Sequence, residues 1–348
     1  MAVVFKPDVD LAERPKVSIC IANYNGMSLL PDCLDSIFRQ EGEHMFEIIV
    51  HDDASTDDSA NWLEAEHRNV KLLRSESNVG FCVANNRMVN VACGEFVLLL
   101  NNDAALFADA LTTLLDDVLR EPASGIRTLP QYDWESSVLV DRGCLLDPFC
   151  NPVPNLEVTR TSVAMTIGAC LFMRRSIWDD LGGFPAWMDS LAEDVYLCCQ
   201  ARLRGHAIRV ATGSGYRHRQ GASFGGNRVQ DGKLHSTFRR RALSERNKTA
   251  SLVVLTPAPS VWPLVALHLL LLAAEGIVLS VLMRSLAPWH GIYAPTLRWT
   301  FSQRKMLLSR RRDEQAQRNT GLRRYFATTR FLPQKLRLLR RHGVPRLG

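Results

Sequence analysis

Four short apolar runs, Val17 to Ala22, Phe46 to Val50, Val70 to Leu73 and Phe96 to Leu100, each stop at a small polar cluster. None alternates strictly between apolar and polar, which is how strands buried on both faces of a parallel sheet read. The clusters are Asn23-Tyr24-Asn25, Asp52-Asp53, Asn78-Val79-Gly80 and Asn101-Asn102-Asp103. In an open α/β sheet a ligand occupies the crevice outside the carboxyl ends of the strands. The pattern therefore puts the chemistry in these four clusters.

Parallel strands need crossover connections, and the segments between the runs supply helices. Leu30, Leu34, Ile37 and Phe38 recur at helical spacing on one face. Ser55 to Asp58 resembles a capping box and predicts a second helix through Trp62 and Leu63. Val83 to Val91 predicts a third, entered from Gly80, where the missing Cβ lets backbone approach a ligand. Ala104 to Val118 reads as a helix, with Asn101 to Asp103 either its cap or a ligand site. Further on, Glu193-Asp194 open a helical segment, Val195 to Arg204, that stops near Gly205. Asn151 to Asn155 reads as a surface loop, and the three prolines of Thr256 to Pro263 separate a soluble body from C-terminal helices.

With 348 residues, 46% of them apolar, the chain can bury a large core in two or three units. Nine dispersed cysteines without a CxxC pair predict reduced thiols in a cytosolic compartment. No basic and apolar leader pattern opens the chain, in keeping with that compartment. The net charge of +6 conceals an asymmetry: residues 284 to 348 hold 16 Lys or Arg against 2 acids, while the remainder sums to −8. Basic tails meet anionic membranes or nucleic acid. Just before this one, Val261 to Met283 is almost wholly apolar, which selects the membrane and argues against nucleic acid. About 34 Å of helix is long enough to cross a hydrocarbon core of about 30 Å. His268 and Glu275, seven apart on one face, and the arginine-rich segments Leu297 to Arg312 and Phe331 to Arg341 favour helices lying in an anionic interface instead.

The acidic strand ends carry the candidate chemistry. Asp103, delivered by an apolar strand, suits a hard divalent cation beside a diphosphate. Asp52 and Asp53 either accept from a base or ribose or stabilise an Asx turn. Glu193 and Asp194 are helix-dipole partners or an acidic ligand site; the preceding Gly182-Gly183-Phe184-Pro185-Ala186-Trp187 would let aromatic surface approach a ligand. His218, between Arg217 and Arg219, is a candidate metal ligand beside phosphate-neutralising guanidinium groups.

In this order the signals resemble family-2 glycosyltransferases, inverting enzymes of GT-A fold that use nucleotide sugars, over roughly residues 16 to 250. Val17 to Asn25 is similar to the family's opening strand, Asp52-Asp53-Ala54-Ser55 to its Asp-Asp-Gly-Ser turn, and Asn78-Val79-Gly80-Phe81 through Asn86 to its Asn-x-Gly-Phe segment. Asn101-Asn102-Asp103 resembles the Asp-x-Asp metal motif in the Asn-first form of rhamnosyltransferase-like members. Gly168-Ala169-Cys170 and Gly182-Gly183-Phe184 are similar to the acceptor-side segment, Glu193-Asp194 to the motif of the catalytic base, and His218 with Ser223 to the late metal histidine. Ala54, Pro185 and Tyr196 depart from the pattern.

The resemblance implies an α/β fold: a Rossmann-like nucleotide-sugar half at 16–103 after an extension at 1–15, an acceptor-binding and catalytic half at 104–250, and membrane-associated helices at 251–348. It implies Asp194 as general base with Glu193 in support, and Mg²⁺ or Mn²⁺ on Asp103 and His218. Donor contacts would come from Ala22, Tyr24, Asp52, Asp53, Asn78, Gly80, Asn86 and Asn101, and acceptor contacts from Gly168, Trp187 and Arg219. The expected partners are a nucleotide-diphosphate sugar, a glycan or lipid-linked glycan acceptor, and the anionic cytoplasmic face of the plasma membrane, in cell-surface polysaccharide synthesis. A sugar-phosphate nucleotidyltransferase would need a basic glycine-rich loop after the first strand, where this chain has Ala22-Asn23-Tyr24-Asn25-Gly26. A tethered binding module without catalysis would not need both Asp103 and Asp194.

Overall fold

The computed structural model describes residues 3–5, 14–221, 228–230 and 233–347. An edge strand, β1 (Val3–Phe5), precedes the four apolar runs, which form β2 (Val17–Asn23), β3 (Phe46–Asp52), β4 (Val70–Arg74) and β5 (Phe96–Asn101). These four are mutually parallel, with β2 paired to both β3 and β5. Successive side chains pack on opposite faces. Ile19, Ile21, Leu98 and Leu100 meet Leu30, Leu34 and Ile37 of α1 (Leu30–Phe38), while Cys20, Ile49, Val97 and Leu99 share the other core with Met88. Both faces are dry, which is why the runs lack alternation.

Helix α2 (Ser59–Glu66) follows β3, and α3 (Phe81–Val91) follows β4 from Gly80 at φ +85°. Ser55 does not cap α2: its hydroxyl accepts from the Asn25 N–H, and the helix starts four residues later. After β5 the expected helix from Ala104 gives way to β6 (Ala104–Leu106), and α4 (Ala110–Arg120) begins only afterwards. The chain continues through β7 (Ser124–Thr128), β8 (Gln131–Asp133), β9 (Leu139–Asp141), β10 (Cys144–Leu146), β11 (Pro152–Pro154) and β12 (Ser162–Val163). Next come β13 (Cys170–Arg174), α5 (Arg175–Leu181), α6 (Glu193–Leu203), β14 (Ala207–Val210) and β15 (Tyr216–His218).

The main sheet has nine strands in the order β1-β4-β3-β2-β5-β13-β7-β14-β12, and a four-stranded sheet runs β6-β15-β8-β9. Strands β10 and β11 form a hairpin, so Asn151 to Asn155 is not a surface loop; Asn151 and Asn155 are buried, the latter donating to the Arg142 and Arg160 carbonyls.

The C-terminal third comprises α7 (Phe238–Leu255), α8 (Val261–Leu282), a π-helical turn at Trp289–Tyr293, α9 (Ala294–Ser302), α10 (Arg304–Ala316), α11 (Leu322–Tyr325) and α12 (Gln334–His342). The expected segment Leu297 to Arg312 is therefore divided at Gln303. Helix α7 runs unbroken through residue 250, and Leu252, Val254, Leu307 and Tyr325 share one core with Val195, Leu197 and Leu203 of α6. This third is docked on the body. Among the described residues α8 is the one helix long and apolar enough to cross a membrane.

Candidate active site

The carboxyl ends of β2, β3 and β5 converge on Asn23. Its buried amide donates to Asp52 Oδ1 at 3.1 Å and to Ser59 Oγ at 2.9 Å, and its Oδ1 accepts from Asn102 at 2.9 Å. Three strand ends are thus fixed through one side chain of the first polar cluster, whose burial beside Asp52 is invisible in sequence. Asp53 accepts the N–H groups of Val79 and Gly80, at 2.7 and 2.9 Å, and so shapes the loop that enters α3. Ala54 takes φ +62° where the family pattern has glycine, so the turn shape is kept at a strain of about 1–2 kcal/mol. Gly80 sits at φ +85°, which favours glycine, and a Cβ there would lie 2.3 Å from Asp189 Oδ1.

Other expected donor residues are placed differently from one another. Tyr24 is exposed at the sheet edge, Ala22 is held in register between His51 and Asn101, and Asn78 precedes the loop held by Asp53. Asn86 points elsewhere: both atoms of its amide bond the backbone of Phe184, at 2.8 and 2.9 Å, bracing α3 against the Gly182-Gly183-Phe184 turn.

The antiparallel pairing of β15 with β6 sets His218 opposite Ala104 and thereby beside Asp103, 115 residues away in sequence. His218 Nε2 lies 3.0 Å from Asp103 Oδ1, and both side chains are buried. Gln131 Oε1, 3.3 Å from Nδ1, also accepts from the Tyr216 hydroxyl. With Nδ1–H directed at that carbonyl, the Nε2 lone pair faces Asp103, the arrangement a metal-ligating histidine needs. A carboxylate oxygen and an imidazole nitrogen 3.0 Å apart are donors that would suit a divalent cation. Asp103 and His218 would hold such an ion; among the described residues no third His, Cys, Asp or Glu joins them. Ser223 lies outside the described residues. Arg219, expected on the acceptor side, donates its N–H to the Asp103 carbonyl, stacks 3.9 Å over Trp134 and pairs with Asp32.

A short path joins this site to the second acidic pair. β13 runs antiparallel to β5, the Asn101 N–H donates to the Ala169 carbonyl, and the Gly168 N–H donates to Asp194 Oδ2 at 3.1 Å. Asp194 Oδ1 also accepts from Val195 N–H at 2.7 Å, at the N-terminus of α6. Glu193 is buried with Oε2 unpartnered. Burial pushes the Glu193 carboxyl up to about 8, helped by the neighbouring Asp194 charge. Burial raises Asp194 too, but its backbone N–H bonds oppose the shift. Desolvation thus raises both carboxyls, while the backbone N–H bonds and the nearby Arg240 guanidinium favour the charged form of Asp194.

A stability prediction follows from the Glu193 shift. A carboxyl raised in the folded state keeps a proton the unfolded chain has lost, so stability falls as pH rises from about 4.5 to about 8. Glu193→Gln is expected to flatten that decline, as read from thermal midpoints across the window.

The loop before the pair is strained and clamped. Asp189, Leu191 and Ala192 adopt φ of +66°, +67° and +63°, at about 1–2 kcal/mol each. That strain is a large fraction of an ordinary folding stability. The buried Asn247 amide on α7 opposes it by donating to the carbonyls of Met188, Ser190 and Leu191 at 2.8–3.0 Å, and Arg246 adds a bond to Met188. Trp187, in the same loop, stacks on Trp299 and meets Tyr196 edge-on. No local pattern in the sequence marks Asn247 for this role. Asn247→Ala is expected to cost about 3 kcal/mol in denaturant unfolding, because carbonyls lose their donors in a buried place.

Residues 18–182 match the family described as Glycosyl transferase family 2. Over 207 residues, 58% of this chain and 32% of the relative, the sequence is 28% identical to the poly(ribitol-phosphate) beta-glucosyltransferase of Bacillus spizizenii. The chain spans about a third of the length of curated relatives of this kind. The solved structure of S. aureus TarS 1–349 with UDP superposes at a TM-score of 0.51 with 18% identity, covering 70% of this chain and 68% of that one. GalNAc-T7 with UDP, GalNAc and Mn²⁺ gives a TM-score of 0.50 and 15% identity, covering 60% and 44%. The fold they share with this chain is of GT-A type.

Proposed function

From the glycosyl transferase family 2 domain that this chain carries, we propose that the protein moves a sugar from a nucleotide-diphosphate donor to a hydroxyl of a glycan or lipid-linked glycan, with inversion. The observation that carries the reading is the half-buried Asp194 carboxylate, held by Gly168 N–H against the strand edge that also delivers Asp103. Asp194 takes the proton of the acceptor hydroxyl as its oxygen attacks the anomeric carbon, while the bond to the diphosphate oxygen breaks on the opposite face. General-base catalysis of this kind contributes about 10²- to 10⁴-fold. Glu193, its carboxyl raised by burial, stands beside the base in support. Asp103 and His218 would hold a divalent cation, which would supply neutralisation of the departing diphosphate. Asp53, through Val79 and Gly80, shapes the backbone that receives the nucleotide.

The polymer in the name of the Bacillus relative supports an acceptor in cell-surface polysaccharide synthesis, and the Asn-first motif Asn101-Asn102-Asp103 supports a place in the rhamnosyltransferase-like subgroup. A screen of UDP-, GDP- and dTDP-linked sugars for binding and slow hydrolysis by the purified protein tests the reading; no response to any nucleotide sugar overturns it.

We place the protein on the cytoplasmic face of the plasma membrane, monotopic and not spanning. Support comes from α8, whose His268 bonds Thr249 and whose Glu275 pairs with Arg241 and Lys335, so the polar face is taken up by protein. Leu270, Ile277, Val278 and Val281 stand exposed on the remainder. Carbonate is expected to release the protein from membranes, whereas a requirement for detergent means that α8 crosses.

A further inference from the structure

Beside the start of α8 lies a groove of about 830 Å³ that the sugar-transfer chemistry does not use. Its walls are Ala258, Trp262 and one face of α10, where Lys305, Leu308 and Arg312 recur at helical spacing, with Arg318 at the end. No carboxylate lines it. Arg311 is already committed, donating to the carbonyls of Val253, Val254 and Thr256 at the end of α7. Lys305 and Arg312 are exposed and have no ion-pair partner among the described residues. Trp262 is half-exposed and starts an apolar stripe that continues through Leu270, Ile277 and Val281.

We propose that this groove binds the phosphate headgroup of an anionic membrane lipid. Lys305, Arg312 and Arg318 supply the positive charge, Trp262 stands at the interface as aromatic side chains do, and the stripe on α8 meets the acyl region. A free anion would need the cations alone; the continuity of the cationic groove with exposed apolar surface is what selects a lipid. The inference rests on the membrane reading above and adds a defined site to it.

The test is co-sedimentation of the full chain with phosphatidylcholine vesicles with and without phosphatidylglycerol. The wild type is expected to prefer the anionic vesicles, and Lys305→Gln with Arg312→Gln to lower that affinity about 30-fold, from about 1 kcal/mol per cation. The same protein should keep its binding to neutral vesicles, which shows that it folds and that α8 still engages. Arg340→Gln with Arg341→Gln on α12 removes equal charge away from the groove and is expected to do far less. Equal losses from the two pairs would mean diffuse attraction by the whole tail and overturn the site. Millimolar inorganic phosphate is expected not to displace the vesicles; displacement assigns the groove to free phosphate and overturns the lipid. Equal wild-type binding to both vesicle types overturns the groove alone, whereas no binding to either overturns the membrane reading with it.

Discussion

Asp194→Asn is expected to lower turnover by about 10²- to 10⁴-fold while donor affinity changes little. The substitution keeps shape and removes the proton acceptor. Its Oδ1 can still accept one of the two N–H groups, from Gly168 and Val195, that hold the carboxylate, so α6 and the strand edge keep their contact. The donor residues Asp52, Asp53 and Gly80 belong to other elements and stay in place. Single-turnover transfer and calorimetric donor titration separate the two effects. The wild-type rate should rise with pH along a limb above the ordinary carboxylate range, because burial raises Asp194 and the base must be ionised. Transfer within tenfold of wild type would move the base to Glu193, and Glu193→Gln would then carry the large loss.

The parts of this arrangement that sequence reveals are those fixed by local pattern. The runs ending at Asn23, Asp52 and Asn101 are strands because no other element buries so short an apolar segment between turn signals. Gly80 was readable because its positive φ needs glycine. What local pattern misjudges is decided by distant pairing. Ala104-Ala105-Leu106 has helical composition, yet it is a strand because β15 lies alongside it, and only that pairing brings His218 to Asp103. Ser55 suits a helix cap, but the Asn25 N–H claims its hydroxyl from across the site. Asn23 and Asn247 are ordinary polar residues in the sequence and become hubs only when buried, where each amide must be satisfied. Likewise, the composition of residues 261–283 cannot say which face of α8 meets protein. The Thr249 hydroxyl on α7, bonded to His268, answers that in three dimensions.

Losing the metal pair should produce the second large effect, on donor binding and not on proton transfer. Asp103→Ala is expected to abolish the metal-dependent part of nucleoside diphosphate affinity, by more than about 100-fold, since loss of even an outer partner costs about 10- to 100-fold. That smaller loss is the expectation for Gln131→Leu, which removes the carbonyl facing His218 Nδ1 and leaves both proposed ligands in place. The ranking follows from position. Asp103 would touch the ion, whereas Gln131 acts only through the tautomer and orientation of His218, and Tyr216 would lose its hydroxyl acceptor as well. Calorimetric titration of nucleoside diphosphate with Mn²⁺, with Mg²⁺ and with chelator reads the metal-dependent part directly, and thermal midpoints show whether each variant keeps its fold. Unchanged metal-dependent affinity in a folded Asp103→Ala protein overturns the assignment of the ion to this pair. A folded Gln131→Leu protein that loses more than Asp103→Ala would mean that His218, and not the carboxylate, holds most of the ion.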